Sequence, residues 1–330
     1  MKGEYNDKIA FAAFLGAISV VMIHITVNAN VGGLHWWLYQ MTAQGLCRWA
    51  VPFFFATAGY FVACRTDEPA WWGRAVKKRC RTILVPFFCW NLIYFIVTTG
   101  LICAANYTHH RPLSDNMLSG WGCLSWIGLH PVHAPYNVTL WFLRTLFLLI
   151  LTSPIYVQLI RRLGWLSLVI LLALSYLRPV KLPFGYGFDC SLFFSAGIAA
   201  RIRPIVVNRK FALSLAIGLL WIAVDKYIRL RSGVNCGGES LPLPAVCLMV
   251  IGIWLLVPTI KLPDYLKHAT FPIYLIHVFP LMMWNFVFGP PKTEWLAVVI
   301  WVYCLGVCIA LQWCLFRCSP RAARILFGGR

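Results

Sequence analysis

A helix must supply about 20 mainly apolar residues to cross a hydrocarbon core about 30 Å thick, because its backbone polar groups find partners only within the helix. Ten stretches of this chain approach or meet that demand: 9–27, 46–63, 83–105, 138–160, 165–177, 188–200, 211–224, 241–257, 271–288 and 295–315. The expected fold is therefore an all-α, polytopic transmembrane bundle of about ten helices, the fifth to seventh being short unless flanking residues extend them. Of the 330 residues 60% are hydrophobic and 12% charged. A soluble domain carries about 25% charged residues, so no water-facing surface could be covered here. The connections are too short for a separate soluble domain and no internal repeat is visible, so a single membrane domain is expected over 1–330.

Lysine and arginine total 29 against 10 acids, a formal charge of +19. A nucleic-acid-binding protein gathers such charge on a solvated face, whereas here it falls between apolar stretches, so no nucleic-acid partner is expected. Positive residues accumulate on the cytoplasmic side of a membrane. With the N-terminus inside, the inner connections hold 20 of the 29 and the outer ones 7, with Arg48 and Arg144 left within apolar stretches. Both termini are thus expected in the cytoplasm. The first stretch follows only Lys2 and Lys8 and ends in HITVNANVGG without a small-residue cleavage site, so it reads as a retained helix rather than a signal peptide.

Eight of the thirteen cysteines fall in apolar stretches, where a thiol behaves as a small hydrophobe. No CxxC spacing occurs and no metal site is expected. Cys123 and Cys236 lie in outer connections and are a candidate bridge. The longest connection, 106–137, is expected outside. It holds His109, His110, Trp121, Trp126 and the HPVH of His130 and His133, which lacks acidic or cysteine partners at metal-site spacing and reads as solvated loop.

Ionisable side chains inside a spanning helix are costly and usually face the bundle interior. Five stand out: His24, Arg48, Arg144, Asp189 and His277. His24 lies near the outer end of the first helix, and imidazole exchanges protons near neutral pH. It is either a general base or an interior histidine bonded to a neighbouring helix. Arg48 opens the second helix at about the depth of His24, as a functional cation or as an interfacial arginine reaching the headgroups. Asp189 is the one acid inside or at the margin of an apolar stretch, and a counter-ion for Arg144 or Arg48 is its structural alternative. His277 is placed near the outer end of the ninth helix, as a site residue or a satisfied interior histidine. On the inner face, Arg74, Lys77, Lys78, Arg79 and Arg81 precede the third helix. Such a run sets topology and touches anionic lipid, or binds the phosphates of a nucleotide-based donor.

These residues, in order, resemble the acyltransferase type 3 family, integral membrane enzymes that O-acylate glycans and other acceptors, and in particular its branch with no appended soluble domain. The pieces are VVMIH ending at His24, RWAVPFFFATAGYF from Arg48, KKRCRTILVPFFCWN through Trp90 and Asn91, LWFLRTLFLLILTSP from Leu140, SLFFSAGIAAR from Ser191 and FPIYLIH ending at His277. The resemblance implies that His24 is the catalytic histidine, that Lys78 and Arg81 are the basic pair on the acyl-CoA side, and that Arg48 and Gly59 belong to a second-helix pattern. Two positions depart from the family: Ala13 stands where many members have a basic residue, and Ala58 replaces a serine. Arg48 is a candidate to take the role of the charge missing at Ala13.

The resemblance further implies an acyl-CoA co-substrate, acetyl-CoA by expectation, bound from the cytoplasm, with no permanently bound cofactor. The acceptor is a hydroxyl of a glycan or lipid-linked sugar reached from the membrane or outer side, and the location is a bacterial inner or plasma membrane. A hydroxyl attacking a thioester needs a base and positive charge for the oxyanion. His24 is the candidate base, Arg48 or Arg144 the candidate cation, Asp189 or His277 the orienting group, and Arg74, Lys78, Arg79 and Arg81 the acyl-CoA contacts. The pantetheine arm is long enough to thread between helices that rise about 1.5 Å per residue. A transporter or flippase for a lipid-linked sugar is the rival reading, since the same intramembrane residues build proton relays.

Overall fold

A computed structural model describes residues 2–27, 39–109, 134–177, 187–204, 212–231 and 242–329. Their regular structure is all helical, with no strand among the described residues. In chain order the α-helices are α1 (Lys2–Ile23), α2 (Ala50–Ala63), α3 (Trp71–Arg79), α4 (Val85–His109), α5 (Trp141–Leu151), α6 (Ser153–Leu163), α7 (Leu166–Leu177), α8 (Phe188–Ile202), α9 (Ala212–Arg231), α10 (Leu243–Leu256), α11 (Asp264–Lys267), α12 (Thr270–Ile276), α13 (Val278–Phe288), α14 (Glu294–Cys318) and α15 (Pro320–Leu326). Helix underlies each of the ten apolar stretches. By length and apolarity alone, the segments Met41–Ala63, Trp71–Leu101, Thr270–Phe288 and Glu294–Cys318 suffice to cross a membrane, and Val138–Leu151 with Ser153–Leu163 makes a fifth if that bent pair is one span.

Helix α14 shows why amphipathicity is no guide here. Ala297, Ile300, Cys304, Cys308 and Gln312 form its buried stripe, while Trp295, Val299 and Val302 on the other side are exposed and equally apolar. A helix that is hydrophobic all round belongs in the interior of a protein or in lipid, and the exposure of these three leaves lipid. Leu92 and Ile96 of α4 present the same kind of face.

The chain gathers into two compact units, Met1–Thr57 with Pro204–Cys314 and Ala58–Arg203 with Leu315–Arg330. In the first, α1 and the segment leading into α2 run antiparallel, with Gln44 bonded to the Ile23 carbonyl and Gly16 against the Phe54 ring. Trp301 of α14 donates from Nε1 to the Ile18 carbonyl at 2.9 Å, tying α14 to α1. At the other end of α1, Asp7 pairs with Lys267 of α11 at 3.2 Å. From that pair, α1 and α12 run side by side toward His24 and His277.

In the second unit, α2 and α8 approach at Gly59, where any Cβ would overlap the Phe194 carbonyl oxygen. The fourth expected helix, over 138–160, is present here as a bent pair: α5 and α6 meet at 60°. Pro154 cannot donate to the Ile150 carbonyl, and the Ser153 hydroxyl takes that carbonyl instead at 2.7 Å. The third helix begins earlier than expected, since α3 and a π turn, Cys80–Leu84, precede α4. After α14 the chain folds back, so that Phe327 is fully buried between the rings of Trp90 and Phe316, with centroids at 6.0 and 5.8 Å.

The proposed Cys123–Cys236 bridge, His110, and the HPVH histidines His130 and His133 lie outside the described residues. Among the described residues, no group of three or more His, Cys, Asp or Glu side chains is placed to hold a metal ion.

Candidate active site

Helix α1 ends at Ile23, one residue before the expected helical His24, which sits instead in the turn that follows. Its amide donates to the Val21 carbonyl at 3.2 Å, so the turn is tight. A helix end leaves carbonyls without intrahelical partners. Two side chains from the next segment answer them here. The buried Tyr39 hydroxyl donates to the Ile25 carbonyl at 2.5 Å, and Gln44 Nε2 donates to the Ile23 carbonyl at 2.9 Å. His24 is thus held from both sides while its own side chain stays exposed.

Behind it lies His277, with no exposed surface and its ring centroid 5.1 Å from that of His24. The ninth expected helix is present as the span Thr270–Phe288, with a local break in its regular bonding at this residue, between α12 and α13. Pro280 explains the break: it has no amide to offer the Ile276 carbonyl and its ring crowds that group. His277 Nδ1 lies 2.7 Å from the Tyr274 carbonyl and 3.2 Å from that of Ile273. Carbonyls only accept, so Nδ1 carries the proton. In the neutral ring Nε2 is then a lone-pair acceptor, and it is buried with no partner among the described residues.

Arg48 lies in the 3₁₀ turn Leu46–Trp49, preceded by a π turn, Met41–Gly45. This irregular entry brings Gln44 and Arg48, four residues apart, together, and an Arg48 Nη2–H donates to Gln44 Oε1. Arg48 is half-buried and forms no ion pair with an acid among the described residues. Sequence reasoning brought out Arg48, His24 and His277 but missed Gln44 and Tyr39. The one available clue was the spacing of an amide four residues before an intramembrane arginine.

The other site candidates belong to the second unit. Arg144 is buried in α5 at 7% exposure, beside the fully buried Thr145. Asp189 is exposed in the first turn of α8, where its charge complements the helix dipole. No ion pair joins it to Arg144 among the described residues. Of the basic run, Arg74 is paired with Glu68 at 2.8 Å. Lys77, Lys78 and Arg81 are exposed and Arg79 is half-buried. The turn bearing Arg81 is braced from beneath by the C-terminal segment, since Gly328 sits against the Thr82 carbonyl so closely that a Cβ would overlap it.

An exposed imidazole backed by a second histidine and a half-buried guanidinium can remove a proton and steady a developing oxyanion. Comparison with known proteins identifies the family. The family described as "Acyltransferase domain", type 3, matches residues 12–316. The chain is also 30% identical over 258 residues, 74% of its length, to "Succinoglycan biosynthesis protein ExoH" of Rhizobium meliloti (strain 1021). It spans 66% of the length of that relative. No solved structure matches. With a family match that takes in both histidines, Arg48 and the basic run, this chain belongs to the acyltransferase type 3 family.

Proposed function

We propose that the protein is an integral membrane O-acyltransferase of a bacterial inner or plasma membrane, crossing the bilayer ten times with both termini in the cytoplasm. It moves an acyl group, acetyl by preference, from cytoplasmic acyl-CoA to a hydroxyl of a glycan or lipid-linked sugar. Family membership supports the acyl transfer, and the relative named for succinoglycan biosynthesis supports a glycan acceptor. The observation that carries the reading is the His24–His277 pair, an exposed residue and a wholly buried one with ring centroids 5.1 Å apart.

In the mechanism, His24 offers a ring nitrogen to the acceptor hydroxyl. As that nitrogen takes the proton, the hydroxyl oxygen bonds to the thioester carbonyl carbon and the carbonyl oxygen becomes an oxyanion. Arg48 supplies positive charge beside it. The tetrahedral adduct collapses, the carbon–sulfur bond breaks, and the CoA thiolate leaves with the proton from His24. The products are the O-acyl ester and free CoA, with His24 neutral again. His277 acts through His24: its Nδ1 proton is held by Tyr274, which leaves the unpartnered Nε2 as the acceptor that takes the His24 N–H in the reacting complex and so sets which His24 nitrogen keeps its lone pair. On the donor side, Lys78 and Arg81 contact the CoA phosphates, with Arg79 and Arg74 flanking them. Membrane lipids surround the apolar helix faces.

Mass spectrometry of envelope glycans tests this reading. A strain lacking the gene loses an O-acyl group, the wild-type gene restores it, and His24→Asn, expressed to the same level, does not. Restoration by His24→Asn removes the catalytic assignment.

A further inference from the structure

A buried polar side chain that the mechanism leaves unused is Gln44, 8% exposed, between Arg48 and the end of α1. We infer that Gln44 is a positioning residue, an amide splint that fixes the Arg48 guanidinium relative to His24 through the Ile23 carbonyl; this rests on the acyltransfer reading above.

The polarity of the two bonds is unambiguous. Guanidinium only donates and a backbone carbonyl only accepts, so the amide has one orientation that satisfies both: Oε1 toward Arg48 and Nε2 toward Ile23. No other uncharged side chain of that length offers an acceptor and a donor at one end. Ile23 is the residue immediately before His24, so the bond acts one peptide from the base. The π turn and 3₁₀ turn over Met41–Trp49 are the backbone cost of this arrangement. Such π segments concentrate at functional sites. Gly45, next to Gln44, lies against Ile222 of α9, with room for a Cβ only at 3.2 Å from that side chain, so the turn is seated in the helix packing.

Arg48 lies on the antiparallel segment four residues beyond Gln44, whose amide meets the Ile23 carbonyl beside His24. Without the splint its long side chain is free to sample other rotamers, and an oxyanion contact misplaced by about 1 Å costs on the order of 100-fold in rate. The two ends of the amide are separable. Gln44→Met keeps the volume and removes both bonds. Gln44→Glu keeps an acceptor for Arg48 but, ionised, cannot donate to Ile23.

The test measures acyl transfer from labelled acyl-CoA to the envelope glycan fraction in membranes containing equal amounts of folded protein, judged by detergent size-exclusion profile. Wild type, His24→Asn, Arg48→Ala, Gln44→Met, Gln44→Glu and the Gln44→Met/Arg48→Ala double variant are compared. Gln44→Met is expected to lower kcat about 10- to 100-fold with KM for acyl-CoA unchanged. Gln44→Glu is expected to fall short of wild type as well, and the double variant to be no worse than Arg48→Ala alone. Wild-type turnover in Gln44→Met overturns the inference, as does full activity in Gln44→Glu or a double variant whose loss is the product of the single losses. Activity in His24→Asn instead overturns the acyltransfer reading itself, which keeps the two failures apart. If Gln44→Met does not fold, Gln44→Glu decides alone, together with the rate at which diethyl pyrocarbonate modifies His24, expected to change in that variant and unchanged if the splint is absent.

Discussion

Single residues decide packing as well as the proposed chemistry, and one of the most constrained is a glycine outside the candidate site. Gly59 has no space for a side chain because the Phe194 carbonyl occupies the position of its Cβ. Gly59→Ala should force α2 and α8 apart and lower thermal stability by about 1–3 kcal/mol or more, the range for overpacking a well-filled site; a melting curve in detergent checks it. His277 allows a cleaner separation of packing from chemistry. His277→Phe retains a ring of similar size and removes both nitrogens. It should fold, leave KM for acyl-CoA near wild type, and lower kcat about 10- to 100-fold, the scale found when the partner that orients a functional imidazole is lost. Unchanged kcat would make His277 a packing residue only. At this scale the sequence was informative wherever a charged or titratable group interrupts an apolar run, because such interruptions are costly in lipid. His24, Arg48 and His277 were found that way. Gln44 was not, since an amide in MTAQG interrupts nothing, and its partner is a backbone carbonyl that no sequence pattern records. Asp189 could be placed in its helix but not in a pair, because its exposure at the first turn of α8 follows from where the helix starts.

Among the elements, two features shape the basic run to which we assign the anionic donor. The π turn Cys80–Leu84 carries Arg81 outward, and the C-terminal segment supports it from behind with Phe327 and Gly328. Replacing Lys78 and Arg81 together by Ala should raise the apparent KM for acyl-CoA on the order of 10-fold or more, since charge-assisted hydrogen bonds to phosphate are lost, while kcat at saturation changes less. An unchanged KM returns the run to a purely topological role. Gly328→Ala probes the support. Its φ of +65° is left-handed, which costs a non-glycine residue about 1–2 kcal/mol, and the added methyl overlaps the Thr82 carbonyl. The variant should melt earlier than wild type and use acyl-CoA less well. Hydropathy located the helices because burial in lipid is a property of runs of residues. It could not locate the breaks at Pro154 and His277, which depend on one missing amide each, nor the docking of α15, whose few apolar residues are too short a signal to stand out from the sequence.

For the whole molecule, the division of charge between connections predicts orientation. Single cysteines placed at 115 and at 67, in a background without reactive native thiols, should be labelled by a membrane-impermeant maleimide from outside and only after permeabilisation, respectively. Labelling of the 106–137 connection solely from the cytoplasmic side would invert the account. Orientation matters to mechanism because the proposed reaction requires the basic run to face the side where acyl-CoA is made. The family was legible in the sequence because its fragments keep their order along almost the entire chain. The acceptor was not, since a glycan is recognised by surfaces formed from several connections at once. The most direct measurement is therefore acyl transfer by the purified protein in liposomes, supplied with labelled acyl-CoA and the glycan fraction of a strain lacking the gene. Label should pass into base-labile ester linkage on the glycan with wild type and fall by about 10² to 10⁴ with His24→Asn; transfer by His24→Asn at the wild-type rate would contradict it.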